Sequence, residues 1–148
     1  MLVALAAGWL AYDRVWGRSG DRPVAWEDRS ALLGEPRFVR STVRELETRE
    51  ELRRVLEEAT VGRPRPAPAL PYEQRRVLLV VLGPRSSPAY GLDVLGVREE
   101  NRRVVVTVGE SAPGPGEAAP AGVTAPFRLL LLPRGEKPID VEWEGATR

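Results

Sequence analysis

The strongest constraint on the fold comes from two short apolar runs in the second half of the chain. Val77 to Leu82 is apolar throughout, and Phe127 to Leu132 carries four consecutive leucines from Leu129. A strand with one face in water alternates with a period of two, and an amphipathic helix repeats every 3.6 residues. Val77 to Leu82 does neither, so it reads as a central strand buried on both faces. Phe127 to Leu132 reads as a second apolar strand.

The segments around these runs are also strand-like. Leu92 to Val97 suits a hairpin with Arg103 to Val108 across Arg98–Arg102. Glu110 to Gly122 is rich in Gly, Pro and Ala and predicts an irregular loop. Ile139 to Trp143 alternates, with Asp140, Glu142 and Glu144 on one face and Ile139, Val141 and Trp143 on the other. Earlier in the chain, Gly17 to Arg22 reads as a linker, Val24–Trp26 as the start of a strand, and Phe38 to Leu46 as another strand.

One helix interrupts this pattern, over Thr48 to Val61. Thr48 and Glu51 make a capping box, in which hydroxyl and carboxylate each satisfy a free backbone N–H. Leu52, Val55, Leu56 and Ala59 fall on one face. Glu50 with Arg54, and Arg53 with Glu57, are spaced to pair on the other. Gly62 is placed as the C-terminal stop. The proline-rich Arg63–Pro71 that follows favours a stiff, extended connector from helix to sheet. The resulting fold class is α+β: an antiparallel β-sheet or small β-sandwich of about five to seven strands with one covering helix, Thr48–Val61. Residues 1–20 are read as a hydrophobic segment and linker, and 21–148 as a single domain.

Composition excludes several chemistries. The chain of 148 residues contains neither His nor Cys. A Ser-His-Asp triad, a thiolate nucleophile and Cys-ligated metal or cluster sites are therefore excluded. No disulfide is available, no cofactor is expected, and the redox compartment cannot be read from Cys. The formal net charge is +1, with Arg interleaved among Glu and Asp, so no nucleic-acid partner is indicated. The absent Cys and scarce polar amides lean towards a thermophile.

Met1 to Tyr12 is apolar but shorter than the about 20 residues that span a bilayer. Two readings stand. It is the tail of a signal peptide or membrane anchor whose true start lies upstream, with Arg14 and Arg18 following it. Alternatively, Leu2, Leu5, Trp9, Tyr12 and Trp16 form one face of an amphipathic helix that packs on the domain or on a second copy. Membrane contact is expected only through residues before Gly17. The first reading places the protein in the cell envelope or outside the cytoplasm, and the second allows a cytoplasmic one.

With those residues placed, the chain resembles the C-terminal domain of the protease-complex subunit PrcB family over about Tyr72–Glu144. The family's succession is a strand, a Gly, a Thr-Gly-Gly-Tyr-like turn, a hairpin, a Pro-rich loop, and Thr-x-Pro-Tyr before an apolar strand. Gly83 supplies the first Gly. Ser87–Tyr90 stands for the turn, with Pro88 and Ala89 in place of both glycines. Ala112–Gly116 is the Pro-rich loop, and Thr124–Phe127 is the Thr-x-Pro-aromatic element. The resemblance implies a non-enzymatic accessory protein of the envelope. Its founding type associates with a secreted subtilisin-like protease and supports its stability, so the implied partner is a protein of that kind.

Two loops are the candidate functional surface. The turn Gly83–Gly91 presents Arg85, Ser86 and Ser87, with Tyr90 offering ring area and a hydroxyl to a partner. Tyr90 equally suits closing the core at the start of a strand, and Ser86 or Ser87 has no base to make it a nucleophile. The second is the loop Glu110–Pro126, with Thr124 and Phe127 at its end, which could equally be a passive connection. Asp140, Glu142 and Glu144 suit a solvated outer face better than a cation site.

The function expected is a non-catalytic binding protein acting through a loop face or an edge strand. Rival readings are a small-ligand or glycan module stacking on Tyr90, Trp26 and Trp143, an enzyme using carboxylates alone, and a self-associating protein held by the Leu2–Trp16 helix. Neither the partner nor the oligomeric state is legible in the sequence.

Overall fold

The computed structural model describes residues 20–60, 62–63 and 65–145. The expected Leu2–Trp16 helical face lies outside these residues, as do Val61 and Pro64. Among the described residues, no helix is long and apolar enough to cross a membrane.

Among the described residues, eight strands form two sheets. They are β1 (Arg22–Pro23), β2 (Glu27–Asp28), β3 (Thr42–Leu46), β4 (Arg75–Val81), β5 (Gly91–Glu99), β6 (Val104–Ser111), β7 (Phe127–Pro133) and β8 (Ile139–Glu144). The helix α1 (Arg49–Ala59) lies between β3 and β4 in sequence. The covered sheet runs β2-β7-β4-β3 and the outer sheet β1-β5-β6-β8. The class is α+β, a small sandwich with one covering helix, as the sequence predicts. The strand count exceeds the expected range because β1 and β2 are two-residue pieces.

The apolar runs occupy the middle of the covered sheet. Val77, Leu79 and Val81 on β4, with Leu129 and Leu131 on β7, face α1 and meet Leu52, Val55, Leu56 and Ala59. Leu78, Val80, Leu130 and Leu132 face the other way, into the space between the sheets, against Val97, Val106 and Val108. Each strand thus serves two cores, which is why neither alternates.

The helix begins as expected, with Glu51 N–H donating to Thr48 Oγ1 at 3.2 Å. The reciprocal carboxylate bond goes one residue further back, to the Glu47 N–H at 2.8 Å. The helix also ends before Gly62. Thr60 is already extended (φ −121, ψ 123), and the Ala59 carbonyl accepts from Arg37 N–H at 2.9 Å. A tertiary donor, not a glycine, closes the helix. On the exposed face Arg53 pairs with both Glu50 and Glu57, and Arg54 approaches Glu50 at 3.5 Å.

Other boundaries moved for tertiary reasons. Val24–Trp26 is not a strand. The chain crosses there from the outer to the covered sheet, and Val24 and Trp26 pack between them. The strand expected from Phe38 begins only at Thr42, because Phe38 is drawn into the helix-side core. The hairpin is as expected but longer, turning at Glu100–Arg103, and β6 absorbs Glu110 and Ser111 from the expected loop. β8 runs parallel to β6 and is the one exception to antiparallel pairing among the described strands. The chain leaves β7 and enters β8 at the end where β6 starts, with Val104 N–H donating to Pro138 O at 2.9 Å.

Candidate functional site

Two connections between the sheets emerge at one end of the sandwich: the turn from β4 to β5 and the long loop from β6 to β7. Gly83 starts the turn at φ +98, and a Cβ there would lie 3.2 Å from the Ser41 backbone nitrogen. Any other residue would be both strained and crowded. The turn then closes by the Tyr90 N–H donating to Ser87 O at 3.3 Å. No residue other than Gly has positive φ among those described. Pro88 and Ala89 therefore hold a turn with negative φ, Pro88 filling the position that proline favours.

The two connections are joined to each other. Arg85 N–H donates to Thr124 O at 2.7 Å, Thr124 N–H returns to Arg85 O at 2.9 Å, and Gly122 N–H reaches Ser86 O at 3.2 Å. The Arg85 guanidinium also clamps the end of β6, with Nε on Glu110 Oε1 at 2.6 Å and Nη2 on Oε2 at 3.0 Å. This bidentate pair holds the Glu110 carboxyl below the ordinary carboxylate range and raises Arg85, the hydrogen bond being the largest cause for both.

The residues singled out in the sequence separate into three groups here. Arg85 and Thr124 are the hinge between the loops. Ser86 is exposed and Tyr90 half-buried on the same end. Ser87 is buried at 4% exposure, and its hydroxyl accepts from Ala89 N–H at 3.2 Å, so it shapes the turn. Phe127 packs against the helix-side core, edge-to-face with Phe38 at 5.4 Å between ring centres. Sequence reasoning included Glu110 and Gly122 in the candidate loop but not their contacts with Arg85 and Ser86. Their partners lie far along the chain, and no local pattern marks them.

Beside this face lies a cleft of about 590 Å³. Gly34, Arg37, Pro88, Leu92, Thr124 and Phe127 are among the residues around it. Arg128 fixes one wall, donating to Leu92 O at 2.7 Å and lying 3.5 Å from Asp28 and 3.8 Å from Asp93.

The aromatic side chains proposed as a stacking platform do not converge. Trp26 sits at the β1–β2 crossover and Trp143 on β8, at opposite edges of the outer sheet. The acidic face of β8 is not simply solvated either. Asp140 and Glu142 accept from Arg103, at 3.1 Å each. Arg98, only 10% exposed, bonds Glu142 at 3.0 Å, Glu100 at 3.0 Å and Thr107 at 3.1 Å, with Asp21 at 3.5 Å. Among the described residues no acidic cluster is arranged to hold a metal ion.

Residues 76–133, which carry β4 to β7 and both connections, match the model of the PrcB C-terminal family. Neither the curated proteins nor the solved structures contain a match to the chain.

Proposed function

We propose, from the premise that residues 76–133 form a PrcB C-terminal domain, that this protein is a non-catalytic accessory subunit docking on a secreted subtilisin-like protease outside the cytoplasm. The observation that carries the reading is the fastening of turn to loop through Arg85, Thr124 and Glu110. A face whose loops are already bonded together loses less conformational freedom on binding than two free loops would.

That face offers Ser86, half-buried Tyr90 and the 82%-exposed Val123. Tyr90 supplies rigid contact area and a hydroxyl, as anchors at protein interfaces do. The absence of His and Cys from the sequence fits a binding role, and the Glu110 carboxylate at this end is engaged by Arg85.

The test is co-expression of the full chain with a secreted subtilisin-like protease of the same organism. The expected result is co-purification in fixed stoichiometry and a longer protease half-life on heating. Tyr90→Ala combined with Val123→Asp should abolish both effects while leaving the accessory protein folded. Absence of a complex with every such protease of that organism would overturn the reading.

A further inference from the structure

The free edge of β3 has a definite pattern of unpaired main-chain groups. Leu82 N–H donates to Pro126 O at 2.9 Å, and Arg29 N–H to Leu129 O at 2.7 Å. Backbone groups point alternately to the two sides of a strand. Leu78, Val80 and Leu82 therefore turn toward β7, and Val77, Leu79 and Val81 toward β3. The register is Thr42↔Val81, Arg44↔Leu79 and Leu46↔Val77. So Thr42, Arg44 and Leu46 commit their N–H and C=O groups to β4, while Val43 and Glu45 turn theirs outward. Among the described residues no strand pairs with that side.

The side chains along this edge are as specific as the backbone. Val43 is 47% exposed and Val39 72% exposed. Between β3 and α1 runs an open groove of about 570 Å³, with Phe38, Val55, Ala59 and Leu79 among its apolar lining and Arg40 and Arg44 on its rim. Glu58 lies on the α1 side of the groove. Among the described residues, Arg40 and Arg44 come within ion-pair distance of no carboxylate, whereas Arg76 on the neighbouring β4 is paired with Glu45. Natural edges are usually blunted by short strands, proline or inward charges. Of the sheet edges among the described residues, β1 and β2 are two residues each, whereas β3 has five and β8 six, and the acidic side chains of β8 are already held by Arg98 and Arg103.

We propose that the β3 edge and its groove receive an extended segment of another protein in which apolar and acidic residues alternate, added beside β3 as a fifth strand of the covered sheet. The added strand would take its hydrogen bonds from Val43 and Glu45. Its residues on the α1 side would lie beside Arg44 and Arg40 and be acidic. Those on the opposite side would lie beside Val43 and be apolar. A second copy is disfavoured as occupant, because pairing two β3 edges sets the unpaired arginines of both copies along one strip. This surface starts next to the turn, where Gly83 approaches Ser41, but it uses the β3 edge and not the loops, and it requires no protease.

The test uses the full chain and a fluorescent, capped peptide, Thr-Val-Glu-Val-Glu-Val-Thr, beside its counterpart with Lys for Glu. By anisotropy at low salt the acidic peptide should bind at least about tenfold more tightly. Hydrogen exchange at the Val43 and Glu45 amides should slow in the complex. Val43→Pro should abolish binding without changing the melting temperature, since that N–H faces outward. Arg44→Glu keeps every backbone group and should reverse the preference toward the lysine peptide, so the test does not depend on the proline variant folding. Binding of neither peptide, equal binding of both, or slowed exchange at other strands alone would overturn the proposal. So would a dimer of the full chain that Arg44→Glu strengthens, which would make a second copy the occupant. Loss of the protease complex described above with peptide binding intact, or the reverse, would separate the two readings.

Discussion

Arg85 and Glu110 form a two-bonded ion pair that ties the turn after β4 to the end of β6, with nitrogen–oxygen distances of 2.6 and 3.0 Å. Through Arg85's backbone the same residue is bridged to Thr124. One arginine therefore couples three parts of the chain at the loop end.

The coupling should be sensitive to acid. The Glu110 carboxyl titrates below its ordinary value of 4.5 in the folded protein, chiefly through the Arg85 hydrogen bond. A carboxyl whose pKa falls on folding favours the folded state fully above that ordinary value, and the benefit is lost as the pH drops through the depressed one. Hydrogen exchange at Arg85 and Thr124 should accelerate as the pH is lowered from 5 toward 3, beyond the intrinsic change in rate. Glu110→Gln should remove that extra dependence.

Gly83→Ala should destabilise the protein by about 1–3 kcal/mol. A methyl at this position adds the cost of positive φ to a contact 3.2 Å from the Ser41 nitrogen. Chemical denaturation measures the loss. Gly96→Ala, where a Cβ meets nothing within 4 Å and no positive φ is present, serves as the control and should change stability by less than about 1 kcal/mol.

Arg98→Leu should cost about 2–3 kcal/mol in the same assay, because Asp21 loses its guanidinium partner while Glu100 and Glu142 keep only Arg103 beside an apolar side chain. Glu142→Gln should cost less than about 1 kcal/mol. Its carboxylate is 43% exposed, and Arg98 keeps two other carboxylates.

Tyr72→Phe should leave stability unchanged or raise it by up to about 1 kcal/mol. The Tyr72 hydroxyl is buried with no hydrogen-bond partner among the described residues, while its ring packs against the helix-side core. The same burial raises the pKa of the phenol. A melting temperature that falls on removing the hydroxyl would mean that it has a partner in solution.

The elements that the sequence announces are those whose signals are local. The unbroken apolar runs mark β4 and β7 because each must fill two cores. Thr48 and Glu51 mark the start of α1 because a cap involves residues only three or four apart. The turn at Ser87–Tyr90 was placed by resemblance to the Thr-Gly-Gly-Tyr turn, and the structure shows it closed through the Tyr90 N–H on Ser87 O. The end of α1 was misplaced because its stop comes from Arg37, which approaches only after the chain has folded. Phe38 looked like strand because a β-favouring aromatic is also a good core residue, and nothing local distinguishes the two uses.

The candidate face was half legible. Arg85, Ser86, Tyr90 and Thr124 could be picked out as loop residues beside strand ends. That Arg85 binds Thr124 and Glu110, and that Ser87 faces inward, depended on which strands lie side by side. The β3 edge was equally hidden: β3 was readable as a strand, but not as the last one in its sheet.

By itself the sequence determined the class of fold, the two doubly buried strands, the single capped helix and the exclusion of His- or Cys-based chemistry. These follow from side-chain periodicity and residue type, which act over a few neighbouring positions. The tertiary structure decided the parallel placement of β8, the Arg98 and Arg103 network, the Arg85–Glu110 clamp and the open edge of β3. Each of these depends on groups from separate segments being brought within a few ångströms, or left without a neighbour, by the order of strands in two sheets. Hydrogen bonds and ion pairs act over only a few ångströms, so a pair such as Arg98 and Glu142, 44 residues apart, leaves no mark on the chain until the sheets assemble.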